Sequence, residues 1–128
     1  MATIFTRIIE GEIPCYKVAE DASYFAFLDI NPLCAGHTLV VPKQERDYIF
    51  DHDDKTLAGL ILFAKKVAAQ IKEKIECKRV AVVVLGLEVP HTHIHLIPIS
   101  SEEDVDFRRE RAKFTPEEFS KIAAMLSI

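Results

Sequence analysis

The chain reads as one α+β domain, a five-stranded antiparallel sheet with helices packed on it. Three observations predict this. The β-rich runs come mostly in adjacent pairs, giving the order αββ-β-α-ββ-α, which favours antiparallel pairing over crossover units. One long segment carries apolar residues at three- and four-residue steps, and another opens on a helix-capping signal. The 128 residues, 49% of them hydrophobic, suffice for one buried core without disulfide or structural metal.

The elements follow in order. In "ATIFTRIIEGEIP" Thr3 is placed to cap a short helix with an apolar side of Ile4, Phe5, Ile8 and Ile9, stopped by Gly11 and Pro14. "YKVAEDASYFAFLDI" holds two β-rich runs around the turn-prone Glu20-Asp21-Ala22-Ser23, a hairpin. "NPLCAG" is a loop, and "HTLVVP" a third strand closed by Pro42. Over 54–76 a helical face is spelled by Leu57, Leu60, Ile61, Ala64, Val67, Ala68, Ile71 and Ile75. Lys65, Lys66, Lys72 and Lys74 fall largely outside that stripe and read as a solvated face. "RVAVVVLG" is an almost unbroken valine-rich run, the pattern of a strand buried on both faces. After a turn over 86–90, "HTHIHLIPI" is the last strand. Thr115, Pro116 and Glu118 form a capping-box start for a final helix whose apolar side is Phe119, Ile122, Ala123 and Leu126.

Composition excludes several classes. A net charge of −4 argues against nucleic acid as a partner, because a phosphate-neutralising face needs an excess of Lys and Arg. Cys15, Cys34 and Cys77 stand far apart without a C-x-x-C pair, the usage of reduced, buried thiols in a cytoplasmic protein. The N-terminal stretch lacks the apolar core of a signal peptide, and no apolar run approaches the ~20 residues of a membrane span. No membrane partner is expected.

The functional signal lies in "VPHTHIHLIPIS". Three of five histidines, His91, His93 and His95, fall on alternate positions. On a strand, alternate side chains share a face and repeat every ~6.6 Å, so the three imidazoles face one side while Thr92, Ile94 and Leu96 face the other. A metal site fits this poorly. His91 and His95 would stand ~13 Å apart, too far to share an ion at ~2 Å bond lengths, and no cysteine pair completes a set. The better reading is nucleophilic and acid–base chemistry on an elongated anionic substrate. Histidine attacks phosphorus when one ring nitrogen is free and the other donates to a fixed acceptor, and the middle ring is the natural attacker.

"HTHIHLIP", with Thr92 in a position usually apolar, resembles the H-φ-H-φ-H-φ-φ motif of the histidine triad family. "IFTRIIEGEIP" and "FAFLDINPLCAGHTLVVPK" resemble the family's other blocks in the same order. The resemblance covers most of the first 100 residues. It implies a five-stranded antiparallel sheet, pairing into a homodimer, and a purine-nucleotide cleft in which His93 attacks the α-phosphorus to form a nucleotidyl-histidine that water hydrolyses. His95 would contact the α-phosphate and hold the ring of His93, His91 would stand near the leaving group, and His37 would help define the phosphate end. His37's plain alternative is a surface histidine opening a strand. Asp29 would accept hydrogen bonds from the ribose, the alternative being a turn-forming Asp before Asn31-Pro32. Phe5, Ile8, Phe27, Ile30 and Leu39 match positions that sandwich the base, or are plain core. Glu88 and Val89, next to the triad, complete the nucleotide-binding set.

Several departures bear on substrate choice. The segment between the valine run and the triad is only "LGLEVP", with Leu85 or Leu87 where relatives carry a phosphate-contacting amide. Glu88 stands where the phosphoramidase branch often has a small hydroxyl residue. The zinc-binding cysteines of some bacterial relatives are missing, so neither structural metal nor cofactor is expected. The single domain then spans 1–128, with 101–128 an atypical helical extension free to serve dimer packing or the neighbour's cleft. The expected function is a cytoplasmic hydrolase or transferase cleaving the α-phosphate bond of adenosine phosphoramidates or related conjugates. The alternatives are a dinucleoside polyphosphate hydrolase and, of another class, a nucleotide-binding regulatory protein with negligible turnover.

Overall fold

The computed structural model describes residues 2–128, leaving only Met1 of the expected domain outside the described residues. Helix α1 (Ile4–Ile9) begins where Thr3 turns its hydroxyl back onto the Thr6 amide, and it ends at Gly11, whose positive φ of 83° suits a residue without Cβ. Strands β1 (Lys17–Glu20) and β2 (Tyr24–Leu28) form the expected hairpin, closed by Asp21 accepting from the Ser23 and Tyr24 amides. Strand β3 (Thr38–Pro42), helix α2 (Asp54–Lys74), strands β4 (Arg79–Val83) and β5 (Ile94–Ile99) and helix α3 (Pro116–Leu126) follow. All strand pairs are antiparallel, in the order β1-β2-β3-β5-β4.

The sheet has two covered faces. On one, Val18, Ala26, Leu28, Val40, Ile94 and Leu96 meet α2 and α3. On the other, Phe25, Phe27, Leu39 and Val41 meet Phe5 of α1. Each fully buried Leu, Ile or Phe contributes about 1.5–3 kcal/mol, so strand alternation assigns each side chain to one of two cores. Residue 95, between Ile94 and Leu96, necessarily points to the α1 side.

Four expectations need correction here. First, β5 begins at Ile94, so His91 and His93 precede the ladder and only His95 sits on the strand. Pro90 cannot donate to a ladder, and the chain turns tightly there, the His91 amide bonding Val89 O at 2.8 Å. Second, the valine run is not buried on both faces. As β4 it is the sheet's edge, with Val82 59% exposed, because an apolar run does not specify how many neighbours its strand has. Third, α2 turns Phe63 inward with Leu60, Ala64, Val67 and Ile71 while Ile61 faces solvent; Asp53 caps its start, and the four lysines are exposed as expected. Fourth, the free cysteines are half-buried rather than buried.

The C-terminal segment packs on its own chain. The capping box at Thr115 and Glu118 forms as read. Phe119, Ala123 and Leu126 enter the α2-side core, Phe119 stacking on Tyr16 at 5.0 Å. No described helix is long and apolar enough to cross a membrane.

Candidate functional site

A cleft of about 430 Å³ opens on the α1 side of the sheet. Its apolar end is built by α1 and the sheet beneath it: Phe5, Ile8, Phe27, Ile30 and Leu39 all line it. Asp29 lies where β2 ends, Glu88 and Val89 on the loop before the triad, and His93 and His95 at the polar end. Aromatic rings run along this floor. Phe5 stands edge-on to Phe27 at 5.6 Å and to His93 at 5.0 Å; His93 lies 5.1 Å from His95, and His95 5.0 Å from Phe107.

The ring of His91 does not line this cleft. It is fully buried, its Nε2 2.8 Å from Pro42 O and its Nδ1 2.8 Å from Thr3 Oγ1. A carbonyl only accepts, so Nε2 carries the proton and Nδ1 accepts from the threonine hydroxyl. The expected place beside a leaving group is therefore corrected: both nitrogens are engaged in joining α1 to β3, and what His91 offers the site is its backbone oxygen. That oxygen lies 2.8 Å from His93 Nδ1. By the same logic His93 Nδ1 is protonated, which leaves the Nε2 lone pair free.

His37 is only 1% exposed, so the surface reading falls, and it lies behind His95 rather than in the cleft. The Leu33 amide donates to His37 Nδ1 at 2.9 Å, and His37 Nε2 stands 2.9 Å from His95 Nδ1. With Nδ1 taken as an acceptor, the neutral ring carries its proton on Nε2 and passes the hydrogen bond to His95 Nδ1. His95 must then hold its own proton on Nε2. One backbone amide thus fixes two tautomers in series, so that the row pairs a bare nitrogen on His93 with an N–H on His95.

Burial, reinforced by the neighbouring histidines and Arg111, pushes His95 well below the ordinary histidine range. Burial also lowers His37, against the opposing pull of the Asp29 carboxylate, and lowers His91. These three rings are neutral near pH 7. Asp29 takes the turn-forming role given as its alternative, and it also lines the cleft. It closes a turn by accepting from the Asn31 amide at 2.8 Å, and its other oxygen lies 3.5 Å from His37 Nε2.

Asp29, His37 and His95 bring three metal-capable atoms within 4.8 Å of one another, a cluster that the expectation of no metal did not foresee. The two nitrogens face each other at 2.9 Å, whereas two ligands at ~2.1 Å on a tetrahedral ion stand about 3.4 Å apart. The spacing is that of a shared proton.

Sequence reasoning missed the contribution of the tail. Residues 105–114 cross the polar end of the cleft as a strap, held by the Ala112 amide on Pro32 O at 2.9 Å, and bring Phe107 and Arg111 to the lining. No periodicity marks these residues, and "FRRERAKF" reads as an ordinary charged stretch. His52 was also missed. It is buried against Thr92, whose hydroxyl donates to Arg46 O, so it supports the backbone between His91 and His93 and stays out of the cleft.

Known proteins resemble this chain in sequence and fold. The HIT domain family matches residues 10–102. An uncharacterised HIT-like protein of Borreliella burgdorferi is 35% identical over 133 aligned positions, covering 98% of this chain and 96% of its own length. The protein named adenosine 5'-monophosphoramidase in Schizosaccharomyces pombe is 38% identical, covering 80% of this chain and 78% of its own. Among solved structures, a HIT-like protein from Bartonella henselae described as involved in cell-cycle regulation superposes with a TM-score of 0.83 at 30% identity, covering 97% of this chain and 93% of that one.

Proposed function

The chain belongs to the histidine triad (HIT) family, and on that premise we propose that it cleaves the α-phosphate bond of adenosine phosphoramidates or related nucleotide conjugates through a nucleotidyl-His93 intermediate. The observation that carries this reading is the hydrogen bond from His93 Nδ1 to His91 O at 2.8 Å, which leaves Nε2 as the free lone pair at the cleft.

The purine enters the apolar end against Phe5, Ile8, Phe27, Ile30 and Leu39, and the ribose hydroxyls donate to Asp29. Nε2 of His93 attacks the α-phosphorus, and the P–N bond breaks with its electron pair leaving on nitrogen, which takes a proton from solvent water at the mouth of the cleft. Because Nδ1 keeps its proton, the phosphorylated ring is cationic. The carbonyl of His91 favours that cation, and the cation makes His93 a good leaving group for the second step. Water then attacks phosphorus and gives up a proton to solvent, the P–Nε2 bond breaks with its electron pair returning to Nε2, and AMP leaves. Throughout, His95 Nε2–H donates to a phosphoryl oxygen. Removal of one such preorganised donor typically costs about 10²–10³ in rate.

The exposed mouth favours one further possibility. Leu85, Leu87 and Glu88 line the cleft, and Leu87 is 90% exposed, which leaves room for a larger leaving group and makes dinucleoside polyphosphates the second substrate class. Single-turnover incubation with an adenosine phosphoramidate tests the main reading. AMP release in the parent protein, lost by several orders of magnitude in a normally folded His93→Ala, is the expected result. Tight AMP binding without turnover would leave the regulatory alternative.

The same reading makes the protein a homodimer. Its support is the unpaired β4 edge, with Val82 exposed, since such edges recruit a partner strand. Sedimentation should give twice the chain mass, and Val82→Lys should lower it; a monomeric parent protein would refute the pairing.

A further inference from the structure

The imidazole row supplies a nucleophile and a donor but no net positive charge. A nucleotide's α-phosphoryl group arrives as an anion and gains charge on the way to the transition state, so a water-poor cleft needs a fixed cation facing it. Arg111 is the only lysine or arginine among the described residues lining this cleft. It lies on the strap, beyond residues 10–102.

The guanidinium is held in place from below. Its Nη1 donates to Asn31 O at 2.8 Å and its Nη2 to Phe107 O at 3.0 Å. Its central carbon lies 5.4 Å from the centroid of the Phe107 ring, which in turn packs edge-on against His95 at 5.0 Å. Guanidinium has five N–H donors, and these two bonds both end on neutral carbonyl oxygens. Three donors and the full charge remain for a ligand. The carbonyl bonds and the Phe107 contact also settle the side chain before any ligand arrives, which lowers the entropy cost of using a long, flexible residue.

We propose that Arg111, carried across the cleft by the 105–114 strap, is the cation that receives the phosphoryl charge of the bound nucleotide. This gives a role to the tail and answers the missing amide on the Leu85–Glu88 loop. The phosphate contact comes instead from the tail, beyond residues 10–102. The site thereby favours ligands bearing phosphate over the bare nucleoside, whatever the leaving group.

The inference rests on the nucleotide reading of the cleft, and the experiment separates the two. Calorimetric titration of the full chain with AMP and with adenosine is compared for the parent protein, Arg111→Gln and Arg111→Lys. A charge-assisted hydrogen bond of this kind is worth roughly a 10- to 100-fold change in affinity. Arg111→Gln should lose that factor for AMP while adenosine affinity stays unchanged, and Arg111→Lys should fall between. The AMP-to-adenosine ratio cancels any general loosening of the cleft. An unchanged ratio in Arg111→Gln, whether both affinities hold or both fall together, overturns the role and leaves the strap a structural cover. A parent protein that binds neither ligand overturns the nucleotide reading itself, and with it this inference.

Discussion

The His37 relay makes two demands on one side chain, and they can be broken separately. Nδ1 accepts from the Leu33 amide, and Nε2 donates to His95 Nδ1. Asparagine places its oxygen near the position of histidine Nδ1, whereas glutamine places its amide nitrogen near Nε2. His37→Asn therefore keeps the Leu33 bond and loses the donor to His95. With nothing enforcing a proton on His95 Nε2, the substrate-facing donor is weakened or lost. If it is lost altogether, a hydrogen bond to a charged oxygen worth about 1.5–3 kcal/mol disappears, roughly 10- to 150-fold in kcat/KM. His37→Gln keeps that donor but strands the buried Leu33 N–H, at a cost of about 1–3 kcal/mol of stability. Both variants also lose ring volume, so the informative quantity is the difference between them. The assays are single-turnover cleavage of an adenosine phosphoramidate and urea denaturation. Asparagine should be the slower enzyme, while both variants lose stability, since each leaves one buried nitrogen without its partner. Equal rates in the two variants would refute the tautomer argument, whatever their stabilities.

Two further outcomes follow from the fold. His37, His91 and His95 are all held below the ordinary histidine value of 6.5 by burial. The unfolded chain therefore takes up protons below that pH while the folded chain resists them. Their effect on stability should be flat above about pH 6.5 and turn unfavourable as pH falls further, by at most about 1.4 kcal/mol per pH unit for each ring; urea midpoints measured from pH 7.5 to 5 check this, and a parent protein as stable at pH 5 as at pH 7.5 would contradict it. Leu126→Ala, which removes a fully buried side chain of α3, should cost about 2–5 kcal/mol in the same denaturation experiment, whereas a helix merely laid on the surface would lose far less.

How much of this was legible in the sequence depended on whether a property was local. Caps and turns are decided within a few residues, so Thr3, Asp21 and the Thr115–Glu118 box read correctly. Periodicity located α2 but misjudged its face by one position, because Ile61 and Phe63 are both apolar and only the sheet decides which points inward. The alternation of histidines drew attention to the segment whose His93 and His95 line the cleft, even though two of the three lie outside the strand. A non-local property had no signature. That β4 is an edge depends on its neighbours, and the Arg111–Asn31 bond joins residues 80 positions apart. The apolar cleft lining could be named only because the resemblance picked out positions that composition could not separate from core. Conversely, the rings of His91 and His37 were assigned to the substrate by that resemblance, whereas their partners make them supports.

His95 stands between Ile94 and Leu96, both wholly enclosed beneath α2, and pairs with Leu39 on one side and Val83 on the other. Sliding β5 by a single residue would send two aliphatic side chains out to greet the nucleotide and drive an imidazole into oil. The protein thus has no way to mis-thread this strand mildly. An insertion or deletion inside Ile94–Ile99 should therefore cost solubility and chemistry at one stroke.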